Sequence, residues 1–108
     1  MRNKVVVITG ASSGIGLALA LQALEEGAFV AVCARNCTSL IEANSKEIEE
    51  GRFLVMSVDV SDEIACKQFI DAVINKWQKI DVLINNAGIS MRSLLAYTKI
   101  SVIKELMN

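Results

Sequence analysis

Thr9-Gly10-Ala11-Ser12-Ser13-Gly14-Ile15-Gly16 is the stretch whose reading decides the fold. It follows the apolar run Val5-Val6-Val7-Ile8 and leads into an amphipathic segment that begins at Leu17. A strand, a glycine-rich turn and a helix in this order make a cradle for phosphate, because a helix start offers unpaired N–H groups and a partial positive charge. Gly10 lets the chain turn sharply off the strand. Gly14 carries no Cβ, so backbone can approach a pyrophosphate, and Gly16 lets the new helix pack close to the strand. The competing reading is a glycine-rich turn that only links strand to helix. It leaves the strand–turn–helix context as coincidence.

The flanks repeat the alternation. Lys4–Thr9 reads as a first strand, Gly14–Glu26 as a helix ended by Gly27, and Ala28–Ala34 as a second strand. Thr38–Glu50 reads as a second helix, with a capping box from Ser39 and Glu42 and a stop at Gly51. Phe53–Val58 is the third strand. Ser61 is the expected cap of a third helix, with Asp62 and Glu63 in its first turn. That helix has an apolar face of Cys66, Phe69, Ile70, Val73 and Trp77, so Trp77 reads as core. Asp81–Asn85 is the fourth strand. Strands apolar on both faces, alternating with helices, imply a parallel α/β sheet covered on both sides. Right-handed crossovers give the strand order 3-2-1-4.

Composition narrows the function classes. The 108 residues suffice for one domain, and 53% hydrophobic content can fill its core. A net charge of −1 without a basic block favours neither nucleic acid nor an acidic membrane surface. The longest apolar stretches fall far short of a bilayer span, and the apolar run after Arg2 and Lys4 is too short for a signal peptide. The expected location is cytoplasmic. With no histidine in the chain, Ser-His-Asp triads, Cys-His dyads and His-ligated metals are excluded, and no metal site is expected. Cys33, Cys37 and Cys66 form no C-x-x-C pair and read as buried, inert thiols.

The glycine spacing at 10, 14 and 16, with Thr9 before and Ile15 between the last pair, resembles the simple, single-domain branch of the short-chain dehydrogenase/reductase family. Asn85-Asn86-Ala87-Gly88 after the fourth strand resembles that family's Asn-Asn-Ala-Gly segment. The resemblance implies a Rossmann-like doubly wound sheet and a dinucleotide cofactor held by Gly10, Ser12, Ser13, Gly14, Ile15 and Gly16, with Asn86, Ala87 and Gly88 also in contact. It implies that Asp59 accepts a hydrogen bond from the adenine amino group and that Val60 lines the adenine pocket. A carboxylate suits that N–H₂ donor. Ala34 occupies the place where an NAD-selective fold carries an acid, and Arg35 follows it. A guanidinium suits a 2′-phosphate, so NADP is expected rather than NAD, with Ser12 and Asn36 assisting.

The family's chemistry rests on a Ser and a Tyr-x-x-x-Lys pair assisted by an Asn. Tyr97 and Lys99 are spaced i, i+2 and face different ways on a helix, so they do not supply that geometry. No catalytic residue is assigned. Leu95, Val102, Ile103, Leu106 and Met107 fit one helix face that continues to Asn108 without a stop signal, and the fourth strand is left with a bare edge. The expectation is therefore a partial dinucleotide-binding domain over 1–108, truncated after the fourth strand and part of the next helix. Alone it is expected to be inactive. The longer parent would move hydride between NADPH and a carbonyl or alcohol, as a homo-oligomer without nucleic-acid or membrane partners. A complete short nucleotide-binding sensor is the alternative. A sugar-nucleotide epimerase of the same superfamily fits less well, because it resembles a different glycine spacing.

Overall fold

The structure is a computed structural model that describes residues 2–10, 14–59 and 61–85, together with the backbone of 104–107; the side chain of Asn85 is outside the description. Five parallel strands form one sheet in the order β3-β2-β1-β4-β5. They are β1 (Val5–Thr9), β2 (Phe29–Ala34), β3 (Phe53–Ser57), β4 (Val82–Asn85) and β5 (Lys104–Met107). The helices are α1 (Gly14–Glu25), α2 (Thr38–Ala43), α3 (Ser45–Glu49) and α4 (Glu63–Trp77). The expected order of the first four strands is the observed one.

Period-two alternation sends successive side chains to opposite faces, and both faces are covered. Val6, Ile8, Val30, Val32 and Ile84 pack with Ala20, Ala23 and Leu24 of α1 and Leu40 of α2. Val5, Val7, Ala31, Cys33 and Leu83 pack with Cys66, Phe69, Ile70 and Val73 of α4. The connection thus changes face between β3 and β4, and the sheet's direction of growth reverses at β1. Such a reversal opens a crevice at the carboxyl ends of the strands. Gly16, Ala20 and Ala23, all buried, bring α1 close to the sheet. Gly27, at φ +90, closes α1: its N–H donates to Leu24 O and that of Ala28 to Ala23 O, which satisfies two orphan carbonyls.

Four expectations need correction. The single helix over 38–50 is two short ones, because Asn44 turns its side chain back to donate from Nδ2 to Leu40 O at 2.9 Å and the backbone there leaves the helical region. No Ser39 capping box forms; Cys37 stands at the N-cap without a side-chain cap bond. The cap of α4 is Asp62, whose Oδ1 accepts from Ile64 N and Ala65 N at 3.0 and 3.2 Å, and not Ser61.

The fourth correction concerns the last segment. Lys104–Met107, expected on a helix, is a strand whose backbone pairs with β4 in parallel, Val82 opposite Lys104 and Asn85 opposite Met107. The unpaired edge of a buried strand outweighs the modest helix preference of Lys, Glu, Leu and Met. The edge of β4 is therefore not bare. Residues 95, 97, 99, 102 and 103 lie outside the described residues.

Cys33, Cys37 and Cys66 form no disulfide and are buried, as expected. Burial pushes the Cys33 thiol up to about 12, against a lowering hydrogen bond with the Gly10 backbone. Trp77 is core-packed: its ring lies 5.7 Å from that of Phe29, and Nε1–H donates to Gly51 O at 3.2 Å. Among the described residues no helix is long and apolar enough to cross a membrane.

Candidate functional site

The sheet ends are laced together, so residues distant in sequence come to one rim. Gly10 N donates to Cys33 O at 2.8 Å, joining the ends of β1 and β2, and Val58 N donates to Ala34 O at 2.9 Å, joining the ends of β2 and β3. Thr9 stands in register with Cys33 on one side and Asn85 on the other. The residues next along the chain must leave the sheet at this rim. They are Gly10 and the start of α1 after β1, Arg35 after β2, and Asp59 after β3.

At the first of these, Gly14 opens α1 with φ +68, a left-handed conformation that costs a side chain strain, and a Cβ built there would meet nothing within 4 Å. That empty space lies at the N-terminus of a 12-residue helix, where a phosphate is favoured. Ile15 is 63% exposed, whereas Gly16 is buried against the sheet. Among the described residues, the start of α1 is thus open to an anion the size of a phosphate group.

At the second and third exits, Ala34 is buried and Arg35 and Asn36 are exposed. Asn36 Oδ1 accepts from Thr38 N at 3.2 Å, which tightens this turn. Its inner end is anchored by Cys37, whose Sγ lies 3.5 Å from Ala34 O and 3.4 Å from Met56 O. Asp59 is close enough to Arg35 to feel its charge. Its carboxyl is held below the usual range first by the Ser61 hydroxyl and next by the Ser61 N–H, with Arg35 adding to them. The structure thus brings a guanidinium and an ionised carboxylate to neighbouring strand ends. Ser12, Ser13, Val60, Asn86, Ala87 and Gly88 lie outside the described residues.

Sequence reading missed what Ser61 does. The spacing Asp-x-Ser just before a helix was the available signal, since Asp readily bonds backbone two residues on. Asp81, taken only as a strand start, is a buried tie between β4 and β1. Its Oδ2 accepts from Val5 N at 2.8 Å and pairs with Lys79 Nζ at 2.9 Å, while its own N–H donates to Val5 O at 2.9 Å. A cleft of about 480 Å³ at the far end of α1, lined by Leu24, Glu25, Glu47 and Arg52 among others, is remote from this rim. Its Arg52 is already engaged by Leu24 O and Glu50.

The family model for short chain dehydrogenases matches residues 4–108. The chain belongs to this family. Curated relatives agree. It is 43% identical over 89 residues to 11-beta-hydroxysteroid dehydrogenase-like 3 of Arabidopsis thaliana, covering 81% of this chain and 29% of that protein. It is 37% identical over 113 residues to dehydrogenase/reductase SDR family member 7 of Mus musculus, covering 100% and 33%. The chain therefore spans about a third or less of the length of these two relatives.

Solved short-chain dehydrogenase structures share the fold. A Caenorhabditis elegans member crystallised with cofactor superposes with a TM-score of 0.72 at 36% identity, over 81% of this chain and 34% of that one. A 3-ketoacyl-(acyl-carrier-protein) reductase from Brucella melitensis, solved with NADH, gives 0.70 at 32% identity, over 82% and 36%. An actinorhodin polyketide ketoreductase variant, solved with NADPH, gives 0.69 at 35% identity, over 82% and 35%. Family membership favours an oxidoreductase over a free-standing nucleotide sensor.

Proposed function

We propose that this chain is the NADP(H)-binding portion of a short-chain oxidoreductase that moves hydride between NADPH and a carbonyl or hydroxyl group. The nicotinamide supplies the hydride; the protein's part is binding and orientation. Gly10 to Gly16 and the start of α1 hold the pyrophosphate, with Ser12 and Ser13 in the turn and Ile15 against the cofactor. Arg35 binds the 2′-phosphate, assisted by Ser12 and Asn36. Asp59 accepts from the adenine amino group beside Val60. Asn86, Ala87 and Gly88 close the cofactor site after β4. Structural neighbours are known with NADH and with NADPH, so the choice between them rests on this chain's own residues.

One observation carries the choice of NADP. At the tip of β2 a buried Ala34 stands where a carboxylate would repel a 2′-phosphate, and the exposed guanidinium of Arg35 follows it. Arg gives a phosphate bidentate, charge-assisted bonds. The test is calorimetric titration with NADPH and NADH. The wild-type chain binds NADPH at least about tenfold more tightly, the worth of one charge-assisted bond, and Arg35→Asp reverses the order by placing like charge beside the phosphate. Equal affinities in the wild type, or an order unchanged by the substitution, remove the assignment.

A further inference from the structure

The hydroxyl of Ser61 is free of the task its position suggests. α4 is capped by Asp62, which takes the N–H groups of both Ile64 and Ala65. Ser61 turns to the other side. Its Oγ–H donates to Asp59 Oδ1 at 2.6 Å, and its backbone N–H donates to the same oxygen at 3.0 Å. Asp62 N also donates to Asp59 O at 2.9 Å, so the backbone around the pair is a closed turn.

These bonds act on an exposed side chain. An unrestrained surface carboxylate samples several rotamers and loses that freedom when a ligand binds. Two donors on one oxygen hold the Asp59 carboxylate in one orientation beforehand. They also favour its ionised form, since a hydroxyl at this distance makes a charge-assisted bond. An ionised carboxylate only accepts hydrogen bonds. Among the described residues nothing donates to Oδ2, so that oxygen is left to an incoming donor.

We propose that Ser61 is a positioning residue that makes Asp59 a fixed, acceptor-only reader of the purine's 6-position, so that the site selects a 6-amino purine and rejects a 6-oxo purine. The inference rests on the reading of Asp59 given above as the adenine contact. A 6-amino group brings a donor to Oδ2. A 6-oxo group brings a second acceptor, which the carboxylate repels. Without the Ser61 hydroxyl the carboxylate keeps one restraint of two. It must then be ordered by the ligand, and the selection weakens.

The experiment is a fluorescence titration of the full chain with NADPH and with its reduced hypoxanthine analogue, in the wild type, Ser61→Ala and Ser61→Thr. The wild type favours NADPH by about tenfold, the order expected for one charge-assisted bond. Ser61→Ala brings the two ligands to within about twofold through weaker NADPH binding, with the analogue's affinity unchanged and the melting curve of α4 intact, because Asp62 still caps it. Ser61→Thr, which keeps the hydroxyl, restores the preference.

A wild-type preference that survives Ser61→Ala overturns the role of Ser61 while leaving the Asp59 contact standing. A wild type that binds both ligands equally overturns the Asp59 reading and this inference with it. A Ser61→Ala chain that loses its fold, or one that binds both ligands less tightly by the same factor, shows that the hydroxyl is structural and overturns the positioning role.

Discussion

Removing the carboxylate of Asp81 unties β4 from β1 at the amino ends of both strands. Its Oδ2 is the partner of the Val5 N–H, and Val5 is 1% exposed. In Asp81→Ala a buried donor is left unsatisfied, a loss of about 1.5–3 kcal/mol for a bond to a charged acceptor. The Lys79 pair adds at most a few tenths, because the Lys79 side chain is 41% exposed and its attraction is screened. Asp81→Asn keeps an acceptor oxygen for Val5 and loses only the charge, so about 1 kcal/mol is expected.

The pH dependence of this tie has a definite sign. Burial pushes the Asp81 carboxyl up, but the Val5 N–H and the Lys79 ammonium, with Lys4 nearby, outweigh it, and the group lies below its ordinary value. A lowered folded value stabilises the fold above the unfolded pKa of about 3.9, and the gain disappears as pH falls through the folded value. Urea unfolding followed by circular dichroism should show wild type ahead of Asp81→Asn at pH 7 and the gap closing as the pH falls below about 3.9. A gap that stays constant or widens on acidification refutes the reasoning, as does an Asn variant as unstable as the Ala variant.

Other expectations follow from the same geometry. Gly14→Val abolishes NADPH binding by filling the open space at the start of α1, and φ +68 adds a stability loss of about 1–2 kcal/mol; a soluble variant with normal binding in calorimetry disproves the cradle. Cys33, with its thiol pushed up to about 12, carries roughly one thiolate in ten thousand at pH 8. It should stay unmodified by an aromatic disulfide reagent until urea unfolds the chain, and fast labelling of Cys33 in the native state contradicts its burial. Trp77→Phe removes the bond to Gly51 O while keeping the ring near Phe29, and about 1 kcal/mol of stability should be lost in urea unfolding.

Most of the architecture was legible in the sequence because its signals are redundant. Val5–Ile8 is apolar at every position, its glycine turn has a helix after it, and an apolar run followed by a helix returns at β2 and β3. Strand order follows from crossover handedness, and with Arg35 at the end of the second strand and Asp59 at the end of the third it puts them at neighbouring strand ends. The misreadings share a cause: a side chain chose between two local partners of similar worth. Asn44 took a backbone carbonyl and broke a helix. Ser61 and Asp62 both suit an N-cap, and Asp62 took it. Lys104–Met107 has no strand-like alternation of its own, and its conformation depends on the edge of β4, which local pattern does not report. Asp81 was invisible for the reverse reason: its partner Val5 is 76 residues away.

The central claim is that the carboxyl ends of β1, β2 and β3 hold one dinucleotide. An amide-resolved NMR titration of the chain with NADPH tests it most directly. The account predicts saturable shifts in Gly10, Gly14, Ile15, Gly16, Arg35, Asp59 and Ser61, and unchanged signals from Glu25, Glu47 and Arg52 around the cleft at the far end of α1. Shifts confined to that cleft, or no shifts at millimolar NADPH, would contradict it.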